Sequence, residues 1–207
     1  MILIHGFWLD GSSWDALELE DATALTLPRG PHITLRDHVD AVVAAIDAAK
    51  APVTLVAHSG GAAPAHAAVD MRPSKVARVF YVDAVPPGQG EVVNAQLPIV
   101  DGEIPLPDWS VFDAPDLVDL DREAFAARAL PTPARVATDP QQLSDERRYD
   151  VPVTVICCEF SPEELQEWMA GGFAPELARI KDVSYVHLPT GHWPQFTRPR
   201  ELAALLS

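Results

Sequence analysis

The chain has 207 residues, 48% of them hydrophobic, enough for one domain with a full core. Thirty acidic against 15 basic side chains give a net charge of −15. That charge repels phosphate backbones and anionic lipid, which excludes nucleic acid and membrane surfaces as partners. No apolar run approaches the roughly 20 residues that span a bilayer.

Taken in chain order, Ile2-Leu3-Ile4 reads as a strand that runs straight into His5-Gly6-Phe7-Trp8. No basic segment or cleavage site precedes it, so no signal peptide is evident and the expected location is the cytoplasm. Further strands are predicted near 23–27, 53–58, 77–83, 152–158 and 183–188. Between Trp14 and Leu25 little room is left for a first helix. The clearest helix covers 35–49, where Leu35, Val39, Val42, Val43 and Ile46 form one apolar stripe and Thr34 with Asp37 resembles a capping box. Apolar runs and helical patterns alternate, which predicts a parallel sheet wound by right-handed crossovers. Residues 86–148 break this rhythm. They are proline-rich and acidic, carry isolated aromatics at Trp109, Phe112 and Phe125, and are expected to hold only short helices. Cys157 and Cys158 are adjacent on a predicted strand, point to opposite faces and read as small core hydrophobes. A final helix begins near Arg200.

Three short segments carry chemistry. The run Ala51–Val56 leads into Ala57-His58-Ser59-Gly60-Gly61 and then an Ala-rich helix, the layout of a nucleophile elbow with Ala57 in place of its first glycine. A His-Gly turn after the first strand would present the Phe7 N–H, and Gly60 would offer a second donor, for the oxyanion that forms in acyl transfer. Near the C-terminus, Leu188-Pro189-Thr190-Gly191-His192-Trp193-Pro194 places a loop histidine where it can take the serine proton. Ser59 is therefore the expected nucleophile and His192 the expected base. His5 is expected to buttress the oxyanion loop, and His58 to pack. Trp8, Trp109, Trp193 and Phe196 are candidates for the substrate pocket or for ordinary core. His32, His38, His66 and His187 lack metal-ligand spacing, and no metal or cofactor is expected.

The order His-Gly, then Ala-His-Ser-Gly-Gly, then Gly-His in the last loop resembles the α/β-hydrolase superfamily over nearly the whole chain. Segments 143–147 and 153–168 are similar to its plant methylesterase and hydroxynitrile lyase branch. The resemblance implies an α/β-hydrolase fold in trimmed form: a core of 1–85 and 149–207 with about six mostly parallel strands, and a small cap over 86–148. It also implies a catalytic carboxylate just after the strand ending at Cys157-Cys158. Here that place holds Glu159-Phe160-Ser161, and Ser161-Pro162-Glu163-Glu164 reads as a helix start instead. The expected acid is Asp83, at the end of the 77–83 strand, where haloalkane dehalogenases look similar, and the alternative is Glu159. The expected function is cofactor-free hydrolysis of a small, mostly apolar carboxylic ester by an acyl-enzyme on Ser59. A hydroxynitrile-lyase-like proton transfer, for which the resemblance implies a lysine where Trp193 stands, and a ligand-binding protein without turnover are the alternatives. The oligomeric state is not legible.

Overall fold

The computed structural model describes residues 1–207. Six strands form one sheet: β1 (Ile2–Ile4), β2 (Thr23–Leu25), β3 (Val53–His58), β4 (Val76–Val82), and two that follow residues 86–148. After that segment, with its own strands β5 (Glu103–Ile104) and β6 (Thr132–Pro133), come β7 (Val153–Cys157) and β8 (Val183–His187). The sheet order is β2-β1-β3-β4-β7-β8, and every neighbouring pair is parallel.

Both faces of the sheet are covered, and the pleat sorts side chains between them with period two. Ile2, Ile4, Leu55, Ala57, Val79, Tyr81, Val153, Val155 and Cys157 enter the larger core cluster. Leu3, Val56, Phe80, Val82, Ile156 and Cys158 enter the smaller one on the opposite face. The two adjacent cysteines thus part to opposite faces, both buried and both free. Burial pushes the Cys157 thiol up to about 12, which leaves it an inert thiol at neutral pH.

Helix α1 (Leu35–Ala48) starts on the Thr34–Asp37 capping box, with both reciprocal hydrogen bonds formed. It buries the predicted stripe and also His38. Helix α2 (Ala62–Met71) is buried from Ala62 to Asp70, and its alanines let it lie close against both the sheet and α1. The expected shortage of room after Trp14 appears as a short 3₁₀ helix at Gly11–Leu17, whose Trp14 and Leu17 join the smaller cluster. The last helices are α6 (Pro194–Thr197) and α7 (Pro199–Leu206). Between β7 and β8, α5 (Pro162–Ala170) begins on the Ser161–Glu164 capping box. No helix is long and apolar enough to cross a membrane.

The segment 86–148 holds α3 (Arg122–Arg128), α4 (Ala134–Thr138) and short 3₁₀ turns at Trp109–Val111 and Pro115–Leu117. The expectation of helices alone is corrected by the antiparallel pairing of β5 with β6. Each of those strands has two residues, too few to show any periodicity.

Candidate active site

The carboxyl ends of β3, β4, β7 and β8 meet along one edge of the sheet, where an open α/β sheet places its ligands. β3 ends at His58, and the chain turns at Ser59 with φ 51°, a left-handed conformation that a non-glycine residue adopts only when its surroundings hold it there. A Cβ at Gly60 would collide with the Phe7 ring, so the loop after β1 can lie against the elbow only because this residue is glycine. Phe7, Ser59 and Gly60 line one cleft together.

His5 fixes that loop. Its Nε2 accepts the Leu27 N–H at 3.2 Å, and its Nδ1–H donates to the Gly6 carbonyl at 2.9 Å. Burial lowers its pKa to about 4, so the ring is neutral. Trp8 has φ 61°, and its N–H donates to Thr132 Oγ1 at 2.9 Å, while the Leu130 N–H donates to the Trp8 carbonyl at 3.0 Å. The cap therefore grips the loop from the other side.

His192 lies in the loop after β8. Its Nε2 is 2.8 Å from Ser59 Oγ, and its Nδ1 is 2.8 Å from Asp83 Oδ2. Asp83 follows β4 at φ 48°, and its side chain is fully buried. Its other oxygen accepts the N–H groups of Cys158 at 2.7 Å and Glu159 at 3.3 Å. Serine, imidazole and carboxylate thus form one chain, with Nδ1–H donating to Asp83 and Nε2 free to accept from Ser59. Glu159 brings its Oε2 to 3.5 Å from the same Nδ1. Of the two acids named from the sequence, Asp83 makes the short hydrogen bond and the alternative, Glu159, stands just behind it.

Burial alone would depress His192. The hydrogen bonds and charges of Asp83 and Glu159 outweigh it and raise the imidazole above its ordinary value. Asp83, Glu159 and His192 also bring one potential ligand atom each within 4.8 Å of one another. Both nitrogens of His192 are already engaged by Asp83 and Ser59, which leaves it no lone pair for a metal.

The His192 backbone is held on both sides. Its N–H donates to the Asp116 carbonyl of the cap at 2.8 Å, and its carbonyl accepts from His58 Nε2 at 2.7 Å. Gln195 donates to the other His58 nitrogen at 3.3 Å. His58 is completely buried, and desolvation lowers its pKa, so it is a neutral donor. The expectation that His58 merely packs is thereby corrected: it ties the elbow to the histidine loop. Its partner lies 134 residues away, and no local pattern in the sequence could announce it.

Three clefts converge at this edge. One of about 390 Å³ contains Ser59, His192, Phe7, Trp8, Leu97 and Phe112. A second, of about 450 Å³, adjoins it through Asp83 and Glu159 and is walled by Phe160, Trp168 and Phe173. A third, of about 320 Å³, runs from Ser59 past Val85 and Pro87 to Phe173. No lysine or arginine lines any of them. Of the four aromatic candidates, only Trp8 lines the cleft. Trp109, Trp193 and Phe196 are corrected to structural positions. They surround Phe125 at centroid distances of 5.9, 4.9 and 5.7 Å, an aromatic contact that joins residues 86–148 to the last loop and α6. The sequence reading missed Phe112, Phe160, Trp168 and Phe173 as wall residues, because their approach to the site depends on how the cap and the loop after α5 fold back.

Residues 1–205 match the alpha/beta hydrolase family. The chain belongs to that family. No curated protein matches it in sequence. Among solved structures it is similar to an extracellular α/β-hydrolase from a Paenibacillus species, described as sharing structural and functional homology with tobacco salicylic acid binding protein 2. The identity is 19%, the TM-score 0.76, and 99% of this chain and 96% of that one are covered. Polyneuridine aldehyde esterase is similar at 20% identity and TM-score 0.70, over 99% of this chain and 96% of its own. A pyrethroid hydrolase from Sphingobium faniae is similar at 22% identity and TM-score 0.70, over 99% and 94%. Likeness at these identities speaks to the fold, and the fold hosts many chemistries.

Proposed function

We propose that the protein is a cofactor-free serine hydrolase acting on a small, mostly apolar, uncharged carboxylic ester. The observation that carries this is the continuous hydrogen-bonded chain Ser59–His192–Asp83, at 2.8 Å and 2.8 Å, opening onto a cleft. Ser59 Oγ attacks the ester carbonyl while His192 Nε2 takes its proton. The same nitrogen then returns that proton to the departing alcohol, leaving an acyl-enzyme on Ser59. Water gives a proton to His192 and attacks the acyl carbon, the acyl–Oγ bond breaks, Ser59 takes that proton back from His192, and the acid is released. Asp83 keeps the proton on Nδ1, so that Nε2 presents its lone pair, and it balances the imidazolium that forms. The Phe7 and Gly60 N–H groups receive the oxyanion, and donors of this kind contribute about 10²–10³ each in rate.

The substrate class follows from the walls. Carboxylates at Asp113, Asp116, Glu159 and Glu164 face the clefts and no cation answers them, which disfavours anionic esters. The esterase and hydrolase named among the similar structures fit this reading. A lyase of the hydroxynitrile type is less well supported, because Trp193, in the place of its lysine, is buried against Phe112 and Phe125 and offers no cation. The test is hydrolysis of p-nitrophenyl butyrate by wild type and Ser59→Ala. Abolished turnover in a folded variant supports the reading, and undiminished turnover removes Ser59 from the mechanism.

A further inference from the structure

An ester brings two groups to a nucleophile, an acyl chain and an alcohol, and the clefts that meet at Ser59 differ in a way that tells the two apart. The cleft of about 390 Å³ and the cleft of about 320 Å³ share Ser59, Gly60, Val85 and Val93, and they part there. His192 lines the first and not the other. Beyond the fork, the first runs past Leu97, Val111 and Phe112, with Asn94 and Asp116 as polar wall. The other runs between Pro87 and Val92 on one side and Phe173 and Pro175, in the loop after α5, on the other. Its one ionisable group, Glu91, is engaged by the backbone, since Oε2 accepts the Gly88 N–H at 2.7 Å.

Attack by Ser59 Oγ leaves a tetrahedral carbon with three further substituents, and each meets a different part of the site. The oxyanion turns to the Phe7 and Gly60 N–H groups. The alkoxy oxygen has to reach His192 Nε2, which stands 2.8 Å from Ser59 Oγ and gives it a proton as the carbon–alkoxy bond breaks. The acyl chain takes the direction that remains. Resting on the serine-hydrolase reading above, we propose that the apolar cleft between Val92 and Phe173 holds the acyl chain and that the His192 cleft holds the alcohol.

The reverse placement puts the alkoxy oxygen in a cleft that His192 does not line, and its proton would then have no source there. Polarity agrees with the assignment. An aliphatic chain meets valine and proline in one arm, and an alcohol with further polar groups meets Asn94 and Asp116 in the other. Acyl length is thus read by segment 85–93 and by the loop after α5, and the alcohol by the turn Trp109–Val111.

Two exposed positions separate the arms. Among the three clefts, Val92 lines only the acyl arm and Val111 only the alcohol arm. At 38% and 57% exposure, each admits a larger side chain without displacing the core. The test is kcat/KM for two ester pairs in wild type, Val92→Trp and Val111→Trp, with thermal melting to confirm folding. p-Nitrophenyl hexanoate against p-nitrophenyl acetate varies the acyl chain alone, and hexyl acetate against ethyl acetate varies the alcohol alone. In Val92→Trp the hexanoate-to-acetate ratio falls about ten-fold or more, while the hexyl-to-ethyl ratio stays within about three-fold of wild type. In Val111→Trp the two responses are exchanged. Val92→Phe and Val111→Phe repeat the comparison if a tryptophan variant does not fold. The opposite crossing overturns the proposal, as do ratios that move together or not at all in both variants. In those cases turnover that still depends on Ser59 leaves the serine-hydrolase reading standing. Wild-type protein that turns over none of these esters, or turnover that survives in Ser59→Ala, overturns that reading and the proposal with it.

Discussion

Two clusters of histidine and carboxylate flank the elbow, one built on α2 and one at the carboxyl edge of the sheet, and they differ in whether their charges are answered. On α2, Arg148 donates to Glu176 at 2.6 Å and to Asp70 at 3.1 Å, and His66 bridges Glu176 at 2.9 Å and the Tyr81 hydroxyl at 2.8 Å. Asp70 also accepts the N–H groups of Ser144 and Asp145, so the end of the cap is stitched to the elbow helix. In front, Asp83, Glu159 and Asp116 gather around one histidine with no arginine or lysine, and the cluster opens onto a cleft. A saturated cluster with a guanidinium at its centre has no proton to move. An unsaturated one, poor in cations, makes a strong base of its histidine. Similar residue types thus form a brace in one place and the proposed reactive site in the other.

Removing one group from each cluster breaks the comparison in different currencies. The largest effect is expected for Asp83→Asn. The amide keeps the bond from the Cys158 N–H but turns its NH₂ toward His192 Nδ1, which forces the proton onto Nε2 and away from the serine. Turnover of a p-nitrophenyl ester should fall by about 10⁴ with the melting temperature little changed. If the melting temperature collapses instead, the front cluster is a brace as well. Arg148→Met should do the reverse. It strands Asp70 and Glu176 as buried charges at a cost of about 3–5 kcal/mol, with activity per folded molecule retained. At about 2–4 °C per kcal/mol, calorimetry should find melting lowered by roughly 10 °C.

A smaller effect concerns pH. His5, His38, His58 and His66 all have folded-state pKa values below the unfolded one, each chiefly through burial. The unfolded chain therefore takes up these protons first. The stability they allow is complete above about pH 6.5 and is lost as pH falls, for His5 through the window down to about 4. His5 alone accounts for about 3 kcal/mol across that window, at 1.36 kcal/mol per pH unit. Urea denaturation at pH 7 and pH 4.5 should show the loss, and His5→Gln should flatten the slope. A pH dependence unchanged in His5→Gln would contradict its neutral assignment.

The parts of this architecture that were legible in the sequence are those written in local patterns. The strand 53–58, the elbow around Ser59, the helix expected over 35–49 and found over 35–48, and the Ser161 helix start each rest on a few consecutive residues. Asp83 could be favoured over Glu159 only by its place at a strand end, because their reach toward a nitrogen more than 30 positions further along the chain is not written in the sequence. His58, Arg148 and Asp116 were silent. Their partners lie far off in sequence, and nothing beside them marks a buried hydrogen bond. The cap was the least readable region, since its two-residue strands and 3₁₀ turns carry no period, and its aromatics could be sorted into wall and core only once Phe125 was seen at their centre.

The most direct test of the central claim is intact-mass labelling with a fluorophosphonate, comparing wild type with Ser59→Ala. Our account predicts one adduct per chain in the wild type, lost in the variant, because the probe reports an activated serine beside an assembled oxyanion site whatever the natural substrate is. No adduct on folded wild-type protein, or an adduct that survives in Ser59→Ala, would contradict it.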